Sequence, residues 1–343
     1  MRVPGTAPMP ALLELVRAIE AAGFDGAGIL DSQLLSRDTF VTLGLAATST
    51  SRLELFPAVT NPFTRHASVL AGAIQTVEEL APGRVKLIVG TGHTSASTIG
   101  RKPATLDEIR ACVAMVKALL AGDRVAFGAA RGGLAYASGR PIPVLVAASG
   151  PRAIELAAEI ADGVLLLVGF NRGIVAKALG HLERGARRAG RQLEDLEIIW
   201  AVRTGTASTR AEARRLARPI AVDWGVLGWG GRWIAAAGLR IPKLEIPEAV
   251  RNIYPDLSHG EDWEAAIAAT SFVPDAVVAD ICDALGLVGT AEDCAARIID
   301  MAKLGVRNLY IMPFQSFAPP EAEVRAFRDV VFDRLRAAGL RDD

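Results

Sequence analysis

Polar clusters punctuate this chain at regular intervals, each directly after a short apolar run, and the stretch from Leu53 to His93 shows the pattern best. Leu53, Leu55, Phe56, Ala58 and Val59 predict a strand that Thr60-Asn61-Pro62 brings to an end. Val69, Ala73, Val77 and Leu80 recur at helical spacing, with Leu70 and Ile74 beside them, and predict a helix over His66–Leu80 with one buried face. Pro82-Gly83 ends it. Val85, Leu87, Ile88 and Val89 then predict a strand covered on both faces, as in a parallel sheet, and Gly90-Thr91-Gly92-His93 follows at once. Parallel α/β proteins keep their chemistry at such positions, just past the carboxyl ends of strands.

The same unit recurs on both sides. A helix from Ala11 closes at Gly23, and a strand over Phe24–Leu30 ends in Asp31-Ser32. A second helix spans Asp38–Ala47. After the capping box Thr105–Glu108 comes a helix with Leu106, Ile109, Val113, Val116 and Leu120 inside, then an irregular excursion over 122–142. A strand over Pro143–Ala147 leads to Ser149-Gly150-Pro151 and a helix. Strands over Val164–Val168, Leu196–Val202 and Val306–Met312 follow, with further capping boxes at Thr209–Glu212 and Thr290–Asp293.

Two regions break the rhythm. Residues 1–10, MRVPGTAPMP, hold three prolines and leave no room for a good strand, so strand one is expected to be degenerate or missing. Residues 219–288 show short helical patterns without a clear strand and hold Trp224, Trp229, Trp233 and Trp263. They read as a helical insertion whose aromatics either form its own core or line an apolar substrate pocket. The expected fold class is α/β, a (β/α)8 TIM barrel forming a single domain over 1–343 with 219–288 inserted in it.

Charge and composition narrow the partners. The 343 residues include 38 basic and 38 acidic side chains, spread through the chain, which argues against nucleic acid and a polybasic membrane surface and for a small-molecule ligand. No signal segment and no apolar run long enough to span a bilayer is evident, so a cytoplasmic protein is expected. Cys112, Cys282 and Cys294 lack metal-site or disulfide spacing and read as reduced core residues, and no metal is expected. Of the polar clusters, Asp31 reads as a turn or cap residue or as a ligand-facing acid. Gly90-Thr91-Gly92 reads as a plain turn or an anion cradle. Ser149-Gly150 reads as an ordinary helix start or a phosphate seat.

Taken in order, AVTNPFTRH, GTGH and PVLVAASGPRAIELAAEIADGVLL resemble the bacterial-luciferase-like superfamily of flavin and deazaflavin oxidoreductases, and most of all its coenzyme F420-dependent methylenetetrahydromethanopterin reductase group. The resemblance implies a non-prolyl cis peptide at Ala58-Val59 behind the deazaflavin ring. It also implies ring contact at Asn61, a rim loop at Thr91 and Gly92, a phosphate seat at Ser149 and Gly150, and a coenzyme-proximal acid at Asp31. Many relatives carry His where this chain has Ser32, and a serine hydroxyl is too weak an acid to replace it. His93, standing where the dehydrogenases often carry Glu, is then either the proton donor or a neutral hydrogen-bonding residue, and an Asp31-ordered water is the other proton source. The implied activity is hydride transfer between coenzyme F420 and a small organic substrate by a homodimer. The alternatives are an FMN-dependent monooxygenase and a catalytically silent coenzyme-binding member.

Overall fold

The computed structural model describes residues 1–254 and 256–342. The chain divides into two compact units, one of residues 1–166 with 181–199 and one of 167–180 with the chain from 200 onward.

The first unit is a run of strand-helix repeats. Its elements are β1 (Arg2–Val3), α1 (Met9–Ala21), β2 (Gly26–Ile29), α2 (Thr39–Ser49), β3 (Glu54–Pro57), α3 (Ala67–Leu80) and β4 (Leu87–Val89). They continue with α4 (His93–Ser97), α5 (Leu106–Leu120), β5 (Val125–Phe127), β6 (Ala130–Gly132), β7 (Val144–Ala148), α6 (Pro151–Ile160) and β8 (Gly163–Leu166). Strands β1, β2 and β3 are parallel neighbours, with Gly28 opposite Phe56. Bridges from Leu55 to Val85 and from Thr60 to Val89 carry the parallel order on to β4, then to β7 and β8. Strand one therefore exists as two buried residues, held because Gly28 N–H donates to the Met1 carbonyl and Leu30 N–H to that of Val3. Pro4 stops it there.

At the amino end of these strands Lys86, which is 9% exposed, donates to Glu54 Oε2 at 2.7 Å and Glu197 Oε1 at 2.5 Å. Burial opposes its charge, but the two carboxylates outweigh that and leave its pKa raised. This knot is structural, lying at the end away from the rim loops.

Local differences from the sequence pattern have plain causes. On α3 the buried row is Leu70, Ala71, Ile74 and Val77, whereas Val69 is 53% and Leu80 46% exposed. Two apolar rows overlap in this helix, and the one nearer the strands is taken. The excursion over 122–142 contains the antiparallel hairpin of β5 and β6, turned at Gly128 with φ 62°. The boxes at Thr105–Glu108 and Thr290–Asp293 form fully. At Thr209 only half forms, because the Glu212 carboxylate turns to Arg215 instead.

The second unit takes the first part of α7 (Arg172–Arg188) and the end of β9 (Glu197–Thr206). It continues through α8 (Arg210–Gly225), α9 (Gly231–Ala236), α10 (Glu248–Arg251), α11 (Trp263–Ala269), α12 (Asp275–Leu285), β10 (Gly286–Gly289), α13 (Ala291–Ala302) and β11 (Asn308–Pro313). A closing helix runs from α14 (Glu321–Ala326) through a π-turn at Phe327–Val331 to α15 (Phe332–Ala337). Strand β10 lies parallel to β9 with Leu287 opposite Thr204, so the tract 219–288 does end in a strand. Its two flanking glycines hid it. Trp263 donates to the Leu216 carbonyl at 3.0 Å and packs among Ala217, Ile220, Val250 and Ile281, which makes it core of this segment. Trp233 is buried as well, whereas Trp229 is 62% exposed.

Candidate active site

The rim of the first unit is built from the ends of β2, β3, β4 and β7. The peptide between Ala58 and Val59 is cis, as the resemblance implied. Ala58 N–H donates to the Ile29 carbonyl at 2.7 Å, and Thr60 is held on both sides by β4, through Ile88 O at 3.1 Å and Gly90 N at 2.8 Å. The Val59 side chain lies across Gly90, where a Cβ would come within 2.7 Å of Val59 Cγ2 and 3.5 Å of Ala147 Cβ. Gly92 has φ 70°, and a Cβ there would lie 2.7 Å from that of Asn61. The two glycines of the loop are thus required by the residues of β3's tail that rest on them.

Asn61 is fully buried. Its Oδ1 accepts from Phe63 N, Thr64 N and the Thr64 hydroxyl at 3.3, 2.9 and 2.9 Å, which makes the turn, while its Nδ2 has no partner among the described residues. A buried amide hydrogen left unbonded costs about 1–3 kcal/mol. Thr91 is half-buried and its carbonyl accepts from Ala104 N at 2.9 Å. His93 opens α4 and is exposed. On the next rim loop Ser149 is exposed, and Gly150 caps α6 with backbone alone, Pro151 occupying the first turn. A Cβ on Gly150 would meet nothing, so the start of α6 is open to an approaching group.

Asp31 ends β2 and is 4% exposed. Its Oδ2 accepts from Arg65 Nη1 at 2.5 Å and its Oδ1 from Gln33 Nε2 at 3.2 Å, and the Ser95 hydroxyl donates to its carbonyl at 2.7 Å. Asp31, Val59, Asn61 and the loop from Gly90 to His93 are therefore tied into one rim by hydrogen bonds and packing. Sequence reasoning missed Arg65. Beside Ser32 the backbone turns on Ser36, whose Oγ accepts from Ser32 N at 3.0 Å and donates to Ser32 O at 2.9 Å.

The second unit holds a polar cluster of its own. Arg203 on β9 has a buried Nη1 without a partner among the described residues, and burial pushes its guanidinium below the ordinary value, although Asp223, Asp256 and Tyr310 act the other way. Asp223 accepts from the Ser258 hydroxyl and is raised, chiefly by burial. Asp256 holds His259 Nδ1 at 2.8 Å. No group of His, Cys, Asp and Glu side chains among the described residues could hold a metal ion, and the three cysteines are free and buried.

The rim of the first unit thus carries a cis peptide, a buried amide donor and an open helix start. The chain belongs to the luciferase-like monooxygenase family, whose pattern matches residues 1–308. It is 28% identical over 311 residues to a 5,10-methylenetetrahydromethanopterin reductase of Methanolobus tindarius, covering 88% of this chain and 90% of that one. It is 34% identical over 240 residues to an F420-dependent glucose-6-phosphate dehydrogenase of Beutenbergia cavernae, covering 64% and 70%. Among solved structures, the coenzyme F420-dependent tetrahydromethanopterin reductase of Methanopyrus kandleri superposes with a TM-score of 0.78 at 22% identity over 97% of both chains. That likeness fixes the fold as the α/β TIM barrel of this family.

Proposed function

We propose that this chain is a coenzyme F420-dependent oxidoreductase that moves a hydride between the coenzyme and a small organic substrate. The observation that carries the reading is the buried Nδ2 of Asn61, without a partner among the described residues and held over Gly92, in a chain that has an F420-dependent glucose-6-phosphate dehydrogenase among its sequence relatives. The deazaflavin, with carbon where a flavin has its reactive nitrogen, supplies two-electron hydride chemistry and does not activate oxygen. Ala58, Val59, Asn61, Thr91 and Gly92 are the residues that would hold the ring, Asn61 through its free amide hydrogen. Gly150 and the start of α6 receive the phosphate, since free N–H groups and the helix dipole both favour an anion. His93, exposed beside Gly92, is the group of the rim that moves a proton, and Asp31 accepts a hydrogen bond from the coenzyme side.

No helix among the described residues is long and apolar enough to cross a membrane. The protein is a homodimer, supported by the exposed apolar residues Val41 and Leu45 on α2 and Val69 and Leu80 on α3, helices that pack against each other.

Fluorescence titration with coenzyme F420 and, separately, with FMN tests the reading. Micromolar or tighter F420 binding with weak FMN binding upholds it. Preference for FMN would make the protein a monooxygenase, checked by oxygen consumption with reduced FMN, and binding of neither would overturn the coenzyme assignment.

A further inference from the structure

We infer that Arg65 is the positioning residue of this site, the group that sets the direction in which Asp31 presents its carboxylate; the inference rests on the coenzyme reading above. Arg65 stands in the loop between β3 and α3, one residue before the α3 cap His66, and reaches back to the loop that follows β2. One arm of its guanidinium, Nη1, donates to Asp31 Oδ2 at 2.5 Å. The other, Nη2, donates to Asp38 Oδ2 at 2.7 Å, while Asp38 Oδ1 caps α2 by accepting from Phe40 N at 2.9 Å and Val41 N at 3.1 Å. The guanidinium carbon also lies 5.2 Å from the centroid of the Phe40 ring. Burial works against the cation, but the two aspartates outweigh it and hold Arg65 above its ordinary pKa.

The clamp determines what Asp31 can do. Each carboxylate oxygen has two lone-pair directions. One on Oδ1 is taken by Gln33 and one on Oδ2 by Arg65, and Ser95 fixes the backbone carbonyl, so the remaining directions are set by the protein. Asp31 is thereby a fixed acceptor, and the proton work falls to another group. A planar fork that meets two carboxylates at once is a property of arginine; a lysine at 65 would keep the charge and lose the bridge.

The test uses the full chain with R65Q, R65K and D38N, the last of which keeps a good cap on α2 while weakening the far arm. Coenzyme F420 affinity is read by fluorescence, the split between KM for the coenzyme and kcat by steady-state rates, and the fold by thermal melting. R65Q is expected to raise the coenzyme Kd about tenfold or more, R65K to recover part of that loss, and D38N to shift Kd in the same direction by less. R65Q and D38N with lowered melting temperatures and a wild-type coenzyme Kd would reduce Arg65 to a staple between loops and overturn the inference. Where R65Q does not fold, R65K decides: a wild-type Kd and KM there overturns it equally. Failure of the wild type itself to bind F420 would sink the coenzyme reading and this inference together, whereas wild-type binding with indifferent Arg65 variants sinks the inference alone.

Discussion

Gly92 and Asn61 are in such close contact that a Cβ added to the glycine would lie 2.7 Å from the Cβ and 2.9 Å from the Cγ of the asparagine, at a backbone φ of 70°. Neither atom belongs to a flexible chain end, and Asn61 is pinned by three donors. Gly92→Ala is therefore expected to move the rim loop away from Asn61 and to weaken coenzyme binding at least about tenfold, with a stability loss of about 1–3 kcal/mol from the strained conformation. Isothermal titration with F420 and chemical denaturation check the two effects; an unchanged coenzyme affinity would remove the loop from the site.

Asn61→Asp separates the two jobs of that side chain. A carboxylate still accepts from Phe63 N and Thr64 N, so the turn survives, but the unpartnered donor is gone. F420 affinity should fall by about tenfold or more while the variant remains folded by circular dichroism. Equal affinity in wild type and variant would mean that Nδ2 faces no coenzyme atom.

Arg203 predicts an anion-dependent stability. A ligand that binds only the folded state raises the melting temperature by mass action, so millimolar phosphate or a dicarboxylate should protect the wild type. Arg203→Met should show no such protection, because the buried guanidinium whose Nη1 has no partner among the described residues is removed. Equal protection of both proteins would place the anion elsewhere.

Glu155 predicts a pH dependence. Burial opposes its charge, but His181 at 2.9 Å, Arg188 at 2.6 Å and Arg184 at 3.0 Å outweigh that and hold it at about 2, down from 4.5. A carboxylate depressed on folding contributes stability that is fully present above its ordinary value and is lost as the pH falls from about 4.5 to about 2. Melting temperatures over that window should fall more steeply for the wild type than for Glu155→Gln, and parallel curves would refute the assignment.

What the sequence displayed and what it concealed follow from how far each signal reaches along the chain. The strands from Phe24, Leu53 and Val85 and the cap at Thr105 are local patterns, and the structure has them within a few residues. The rim loops could be found the same way, because each follows its strand directly. Arg65 could not, since its partner Asp31 is 34 positions away and an arginine before a helix looks like any surface cation; an arginine inside a strand-end loop, with acids ending the preceding unit, was the available hint. Strand β10 was masked by Gly286 and Gly289, and on α3 the pattern offered two apolar rows without saying which one meets the sheet.

The three cysteines have a practical consequence. Cys112, Cys282 and Cys294 are at most 5% exposed, and burial pushes their thiols up to about 11, about 12 and about 12. Thiolate is the reactive species, so these side chains stay silent toward maleimides and mild oxidants while the protein is folded. A single cysteine introduced at Ser149 can then be labelled on the native background, and a dye placed there would report occupancy of the rim without any endogenous thiol having to be removed. The same silence means that inactivation by a thiol reagent would signal unfolding rather than modification of the active rim.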